Sequence, residues 1–294
     1  MDALNHLPVD KKALVGKIIN RLQEINGIQA VVLGGSYASG SHHPDSDIDL
    51  GLYYAPAVPF RVSDIRQIAE EFSSNKEPVV TDFYEWGAWV NGGAWMQTAA
   101  GKVDFLYRNL DQVSQTIEEA WQGIYHHDYG QQPSNGFYSI IYLAETSICL
   151  PLYDPHVHIN RLKQRVQTYP PLLRERIIQD GLWNAEFTLS FARTFAKQND
   201  IYNTTACLVR IAANLTQVLF ALNHTYFLRE KKVMEVIGGF PLVPDGYADR
   251  LTAVLGSPGH DQMSLVASVQ QIHQLWLEVV ALSLGGYKAK YQVG

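Results

Sequence analysis

Asp47 and Asp49 interrupt an apolar run, Ile48, Leu50 and Leu52, within the stretch VLGGSYASGSHHPDSDIDLGLYY that covers Val32 to Tyr54. Side chains alternate along a strand, so the two carboxylates share one face and Ile48 and Leu50 take the other. Carboxylates are expensive to bury unpaired, and two side by side repel each other unless divalent cations sit between them. Mg²⁺ is commonly held by one or two carboxylates together with substrate phosphates. Two such ions can clamp an in-line displacement at phosphorus. The chemistry implied is phosphoryl or nucleotidyl transfer. Gly34, Gly35 and Ser36 complement it from the other side: glycine lets backbone approach a ligand closely, N–H groups at the start of a short helix bind phosphate oxygens, and the serine hydroxyl adds a donor. Together they would hold a triphosphate. No Gly-Lys-Ser/Thr follows and there is no G-x-G-x-x-G, so neither a Walker loop nor a dinucleotide fingerprint is present.

The elements that must carry these residues are legible on either side. After Asp10, a candidate N-cap, Leu14, Val15, Ile18, Ile19, Leu22 and Ile25 fall at helical spacing, and Asn26-Gly27 supplies the stop. The run IQAVVLGG predicts a buried strand, then a brief helix near Tyr37 to Ser41 and a second strand from Asp47 to Tyr54. A helix is expected over about Ser63 to Ser73, a strand at Val79 to Phe83, and a hairpin between Trp86 and Tyr107 whose last strand, KVDFLYR, carries Asp104. From Leu110 the strand signals vanish. Leu173 to Lys197, Thr204 to Leu228 and Gln262 to Leu284 are long helical patterns, and the loop GGFPLVPDG at Gly238 to Gly246 interrupts them. The expected architecture is α+β: a mixed sheet over residues 1–110, followed by an all-α helical bundle over 111–294 that would bind the acceptor.

A strand, Gly-Gly-Ser, ten residues and then Asp-Ile-Asp-Leu on another strand resembles the signature of the DNA polymerase β-type nucleotidyltransferase superfamily. In that family a third carboxylate comes from a later strand, which Asp104 supplies in the matching context. A small catalytic domain followed by a helical bundle looks like the bacterial aminoglycoside and lincosamide adenylyltransferases. The resemblance implies transfer of a nucleoside monophosphate, most simply AMP from ATP, to a hydroxyl of a small molecule, an antibiotic being one such acceptor, with release of pyrophosphate. It implies Asp47, Asp49 and Asp104 as catalytic residues and ligands of two Mg²⁺ ions, and Gly34, Gly35 and Ser36 as the site for ATP or another nucleoside triphosphate.

Other residues have both a functional and a plain reading. Asp45 and Ser46 fit a loop after Pro44, and His42 and His43 fit exposed loop positions. A general base is needed for the acceptor hydroxyl, and Asp104, Glu145 and Glu186 are the candidates. The last two sit in apolar helical segments, where a salt bridge to an arginine such as Arg210 or Arg193 is the plainer expectation. Lys231 follows a long helix and would reach a β- or γ-phosphate, against the reading of a solvated helix-end charge. Arg210, Asn214 and Gln217 share a helix face that would line a cleft or face water. Trp86, Trp89, Trp95, Tyr84 and Tyr107 surround the hairpin and suit either packing or stacking on a base or sugar.

The 294 residues suffice for one large or two ordinary domains. A net charge of −6, with no basic run longer than Lys231-Lys232, argues against a duplex-binding surface and leaves small molecules as the expected partners. Met1 to Lys12 is polar and broken by Pro8, unlike a signal peptide, and no run reaches the roughly 18 consecutive apolar residues of a membrane span, so a cytoplasmic protein without a membrane partner is expected. Cys149 and Cys207 sit among apolar neighbours and read as core thiols. Two alternatives accompany the small-molecule reading: nucleotidylation of a protein or RNA acceptor, and a nucleotide-binding sensor without catalysis. Monomer and homodimer both remain open.

Overall fold

The structure, a computed structural model, describes residues 4–5, 7–74 and 77–291. Part of the polar N-terminal stretch, residues 1–3 and 6, lies outside these. The chain divides into two compact units, one made of residues 1–119 and 125–168, the other of residues 120–124 and 169–294.

The first unit opens with α1 (Val9–Leu22), whose Val15, Ile18 and Leu22 are buried at the helical spacing expected of them. Then come β1 (Ile28–Leu33), the short α2 (Gly35–Ser39), β2 (Ile48–Tyr54), α3 (Val62–Phe72), β3 (Val79–Val80), β4 (Gly93–Thr98) and β5 (Gly101–Asn109). α4 (Leu110–Trp121), the two-residue strands β6 (His127–Asp128) and β7 (Phe137–Tyr138), α5 (Ile140–Ile148), β8 (Leu150–Tyr153) and α6 (His158–Val166) follow. Six strands form one mixed sheet in the order β3-β4-β5-β2-β1-β8. Its central pair, β2 and β5, is parallel, and the other neighbours are antiparallel.

One face of this sheet is apolar. Ile48, Leu50 and Leu52 of β2 and Val103, Phe105 and Tyr107 of β5 are fully buried there, together with Val31 and Leu33 of β1 and residues of α1 and α3. Because the side-chain period is two, the intervening residues all point the other way: Asp49, Gly51 and Tyr53 on β2, Lys102, Asp104, Leu106 and Arg108 on β5, and Trp95 on β4. A one-residue slip would bury the carboxylates in the core and expose the leucines, so the core fixes which face carries the acids.

Two expectations are corrected. Strand structure does not end at residue 110: β8 pairs antiparallel with β1, Leu33 facing Leu150, and so extends the sheet. Its residues follow directly on the helical run of α5, and a four-residue strand has no room for a periodic signal of its own. The boundary expected at 110 therefore falls within the first compact unit, which continues through α6. The strand expected over Val79 to Phe83 is also confined to two residues.

In the second unit, α7 (Pro171–Lys197), α8 (Ile201–Leu222), α9 (Val233–Gly238), α10 (Tyr247–Gly256) and α11 (Gln262–Leu282) are the main elements. α7, α8 and α11 pack on one another. Asp200 caps α8 by accepting the Asn203 N–H, and Asp261 and Ser264 form a capping box at α11. α8 is long and apolar enough to cross a membrane by length and composition, but most of that stretch is buried among its helical neighbours, as in a core helix. Cys149 is buried as expected, whereas Cys207 is only half-buried.

Candidate active site

The parallel register places Asp49 directly opposite Asp104. Neighbouring strands lie about 5 Å apart, and like charges directly opposite each other across a ladder are destabilising. Asp47, just before β2, joins them through a lysine: the Lys102 ammonium donates to Asp104 Oδ2 at 2.8 Å and to Asp47 Oδ2 at 3.2 Å. Lys102, Asp104 and the other even-numbered residues of β5 share a face, so the lysine is delivered to the acids by strand alternation alone. Asp104 is nearly buried, and its Oδ1 accepts no hydrogen bond among the described residues. Burial pushes its carboxyl above the ordinary range, and the Lys102 ammonium only partly offsets this. Burial opposes the charge of Lys102 in turn, but its bonds to Asp104 and Asp47 outweigh that and raise its pKa.

The glycine turn is built against the second acid. Gly35 adopts φ +58°, and a Cβ placed there would stand 1.7 Å from Asp49 Oδ2 and 2.6 Å from its Cγ. Only glycine meets both demands, left-handed backbone and contact with the carboxylate. The Gly34 N–H donates to the Asp49 carbonyl at 2.8 Å, so it extends the β1–β2 pairing and is not a free phosphate donor. The N–H groups of Gly35 and Ser36 open α2, where no intrahelical acceptor exists for them.

The loop between α2 and β2 is tied down by Lys11 of α1. Its ammonium is buried and donates to Tyr37 Oη at 3.0 Å, to the Pro44 carbonyl at 3.0 Å and to the Ser46 carbonyl at 2.6 Å. Three acceptors satisfy all three donors of the ammonium. Ser46 closes the loop by accepting the His43 N–H, as its loop reading implied, and His42 stacks on Tyr37. Trp95 faces Asp104 across the β4–β5 ladder, with Trp86 stacked on it at 4.3 Å between centroids.

Asp47, Asp49, Asp104 and the turn Gly34-Gly35-Ser36 thus lie towards one end of the central strands, where β2 begins and β1 ends. Glu145 and Glu186 do not pair with Arg210 or Arg193. Glu145 makes a two-pronged ion pair with buried Arg108, at 2.8 and 2.7 Å, further along the same sheet face. Glu186, fully buried in the second unit, accepts the Tyr287 hydroxyl and the Lys290 and Tyr291 N–H groups. Arg193 instead meets His273. Lys231 is exposed in a turn of the second unit before α9. On α8 Arg210 is exposed but Gln217 is buried, so the polar stripe is not one solvated face.

The sequence held signals for the residues not singled out. Lys11 occupies the apolar stripe of α1, one turn before Val15, and Lys102, Asp104 and Arg108 alternate in KVDFLYR. Among the described residues no three His, Cys, Asp or Glu side chains are already gathered as a metal cage. The donor chemistry nevertheless fits a hard divalent cation: neighbouring carboxylates, one buried oxygen without a partner, and a cationic group now lying between two of them.

Residues 15–91 match the nucleotidyltransferase domain family, and residues 143–231 match a domain of unknown function, DUF4037. No curated protein matches the chain. Among solved structures, a nucleotidyltransferase-like protein from Exiguobacterium sibiricum aligns with 8% identity and a TM-score of 0.46, over 95% of this chain and 78% of that one. The family match covers the latter part of α1, β1, the glycine turn, Asp47 and β2 with Asp49, and ends before β5 and Asp104; the chain carries an N-terminal nucleotidyltransferase domain followed by a helical C-terminal region.

Proposed function

We propose that this protein transfers a nucleoside monophosphate, AMP from ATP in the simplest case, to a hydroxyl of a small molecule and releases pyrophosphate. The observation that carries the reading is the pairing of Asp49 with Asp104 across two parallel strands, with Asp47 alongside and a glycine turn packed against Asp49. Asp47, Asp49 and Asp104 would hold two Mg²⁺ ions. When bound, the ions supply charge neutralisation at the reacting phosphate and a lowered pKa for the attacking oxygen. Gly35 and Ser36 offer N–H donors to the triphosphate, while Gly34 fixes the turn. Asp104 would either join one of these ions or, left uncoordinated, take the proton from the acceptor hydroxyl. Lys11 acts on none of these atoms; it holds the loop from which Asp47 emerges.

Pyrophosphate release measured with ATP, GTP, CTP and UTP against aminoglycosides, lincosamides and common hydroxylated metabolites tests the proposal. Turnover with at least one pair is expected, and Asp47→Asn or Asp49→Asn should abolish it while the melting profile keeps its cooperativity. Undiminished turnover in either variant contradicts the assignment.

A further inference from the structure

Lys102 places a positive charge where the acids would take up metal. Its ammonium joins Asp47 and Asp104 at 3.2 and 2.8 Å, and it springs from the same strand as Asp104, two residues away on the same face. Asp104 Oδ2 is therefore occupied, Oδ1 is buried without a donor, and the side chain of Lys102 stays 42% exposed. A cation approaching Asp47 and Asp104 has to displace that ammonium, and the flexible four-carbon stem leaves it room to move away.

We infer that Lys102 is a built-in counter-ion of the carboxylate site, which holds the acids together without metal and makes metal loading depend on nucleotide. The inference rests on the reading of Asp47, Asp49 and Asp104 as metal ligands. Bare divalent cations compete with the tethered ammonium and bind weakly. A triphosphate arriving with the metal gives the displaced ammonium a new anionic partner, so metal and nucleotide bind with positive coupling. Lys102 is a positioning residue in this scheme, and the effect belongs to binding, before any chemistry.

The test is Mn²⁺ binding by electron paramagnetic resonance to the full chain, with and without a non-hydrolysable ATP analogue. Lys102→Gln and Lys102→Met should bind Mn²⁺ without nucleotide at least tenfold more tightly than the wild type, and Lys102→Arg should match the wild type. With the analogue present, the advantage of the neutral variants should shrink to threefold or less. Wild-type-like affinity for bare Mn²⁺ in both neutral variants overturns the inference while leaving the metal site intact. An unchanged tenfold advantage with the analogue overturns the coupling. Absence of Mn²⁺ binding in every protein, even with the analogue, would instead remove the metal-dependent reading on which it rests.

Discussion

Gly35→Ala separates backbone strain from damage to the site, because Gly40 provides a control. Both glycines are left-handed, at φ +58° and +73°, and an alanine at either pays about 1–2 kcal/mol for that conformation. At Gly40 an added Cβ meets nothing within 4 Å, whereas at Gly35 it lies 1.7 Å from Asp49 Oδ2 and 3.1 Å from its Cβ. Ordinary contact begins near 3.4 Å, so the Asp49 carboxylate must shift by about 1.7 Å or rotate away from Asp104. Misplacement of a reacting group by about 1 Å costs on the order of a hundredfold in rate. Gly35→Ala should therefore lose at least about a hundredfold in kcat/KM for pyrophosphate release, and Gly40→Ala less than about threefold, with melting points lowered by similar amounts of a few degrees. Equal activity in the two variants would refute the claim that the turn is shaped around the Asp49 carboxylate.

Three further outcomes follow from pairings found here. Glu145→Ala strands the buried Arg108 guanidinium, and urea denaturation should show a loss of about 3 kcal/mol, the low end for a broken buried pair because Glu145 is partly exposed; a loss below about 1 kcal/mol would contradict that burial. Glu186→Gln leaves the Tyr287 hydroxyl and two backbone N–H groups with a poorer acceptor, so the second unit should lose about 1–3 kcal/mol by the same assay, and unchanged stability would mean the C-terminal segment is not anchored there. Burial pushes the Cys149 thiol up to about 11, so at pH 8 only about one part in a thousand is thiolate. Cys149→Ser should leave the count of native thiols reactive with a disulfide reagent at pH 8 unchanged, and a lower count would show the thiol to be accessible.

What the sequence disclosed depended on period and on local geometry. α1, β1, β2, β5 and the three long helices are all visible as 3.6- or 2-residue patterns, and the alternation around Asp47 and Asp49 sets their common face without knowledge of the fold, while Asp104 entered through the family resemblance. Their meeting could not be derived that way, since it depends on β5 lying parallel beside β2 with Asp104 level with Asp49. β8 was hidden because four residues carry no period and directly follow a helix. The partners of Glu145 and Glu186 were missed for a related reason. Helical spacing says which residues share a face of one element, but Arg108 comes from a strand and the ligands of Glu186 from backbone a hundred residues on. Lys11 shows the converse: a lysine in the apolar stripe of α1 is a visible anomaly, but its acceptors are carbonyls of a loop that no pattern connects to that helix.

Anomalous diffraction from crystals grown with Mn²⁺ and a non-hydrolysable ATP analogue tests the central claim most directly. The account predicts manganese peaks among the carboxylates of Asp47, Asp49 and Asp104, with phosphate oxygens beside Gly35 and Ser36. Manganese or triphosphate bound elsewhere, with Asp104 and Asp49 left unliganded, would contradict it.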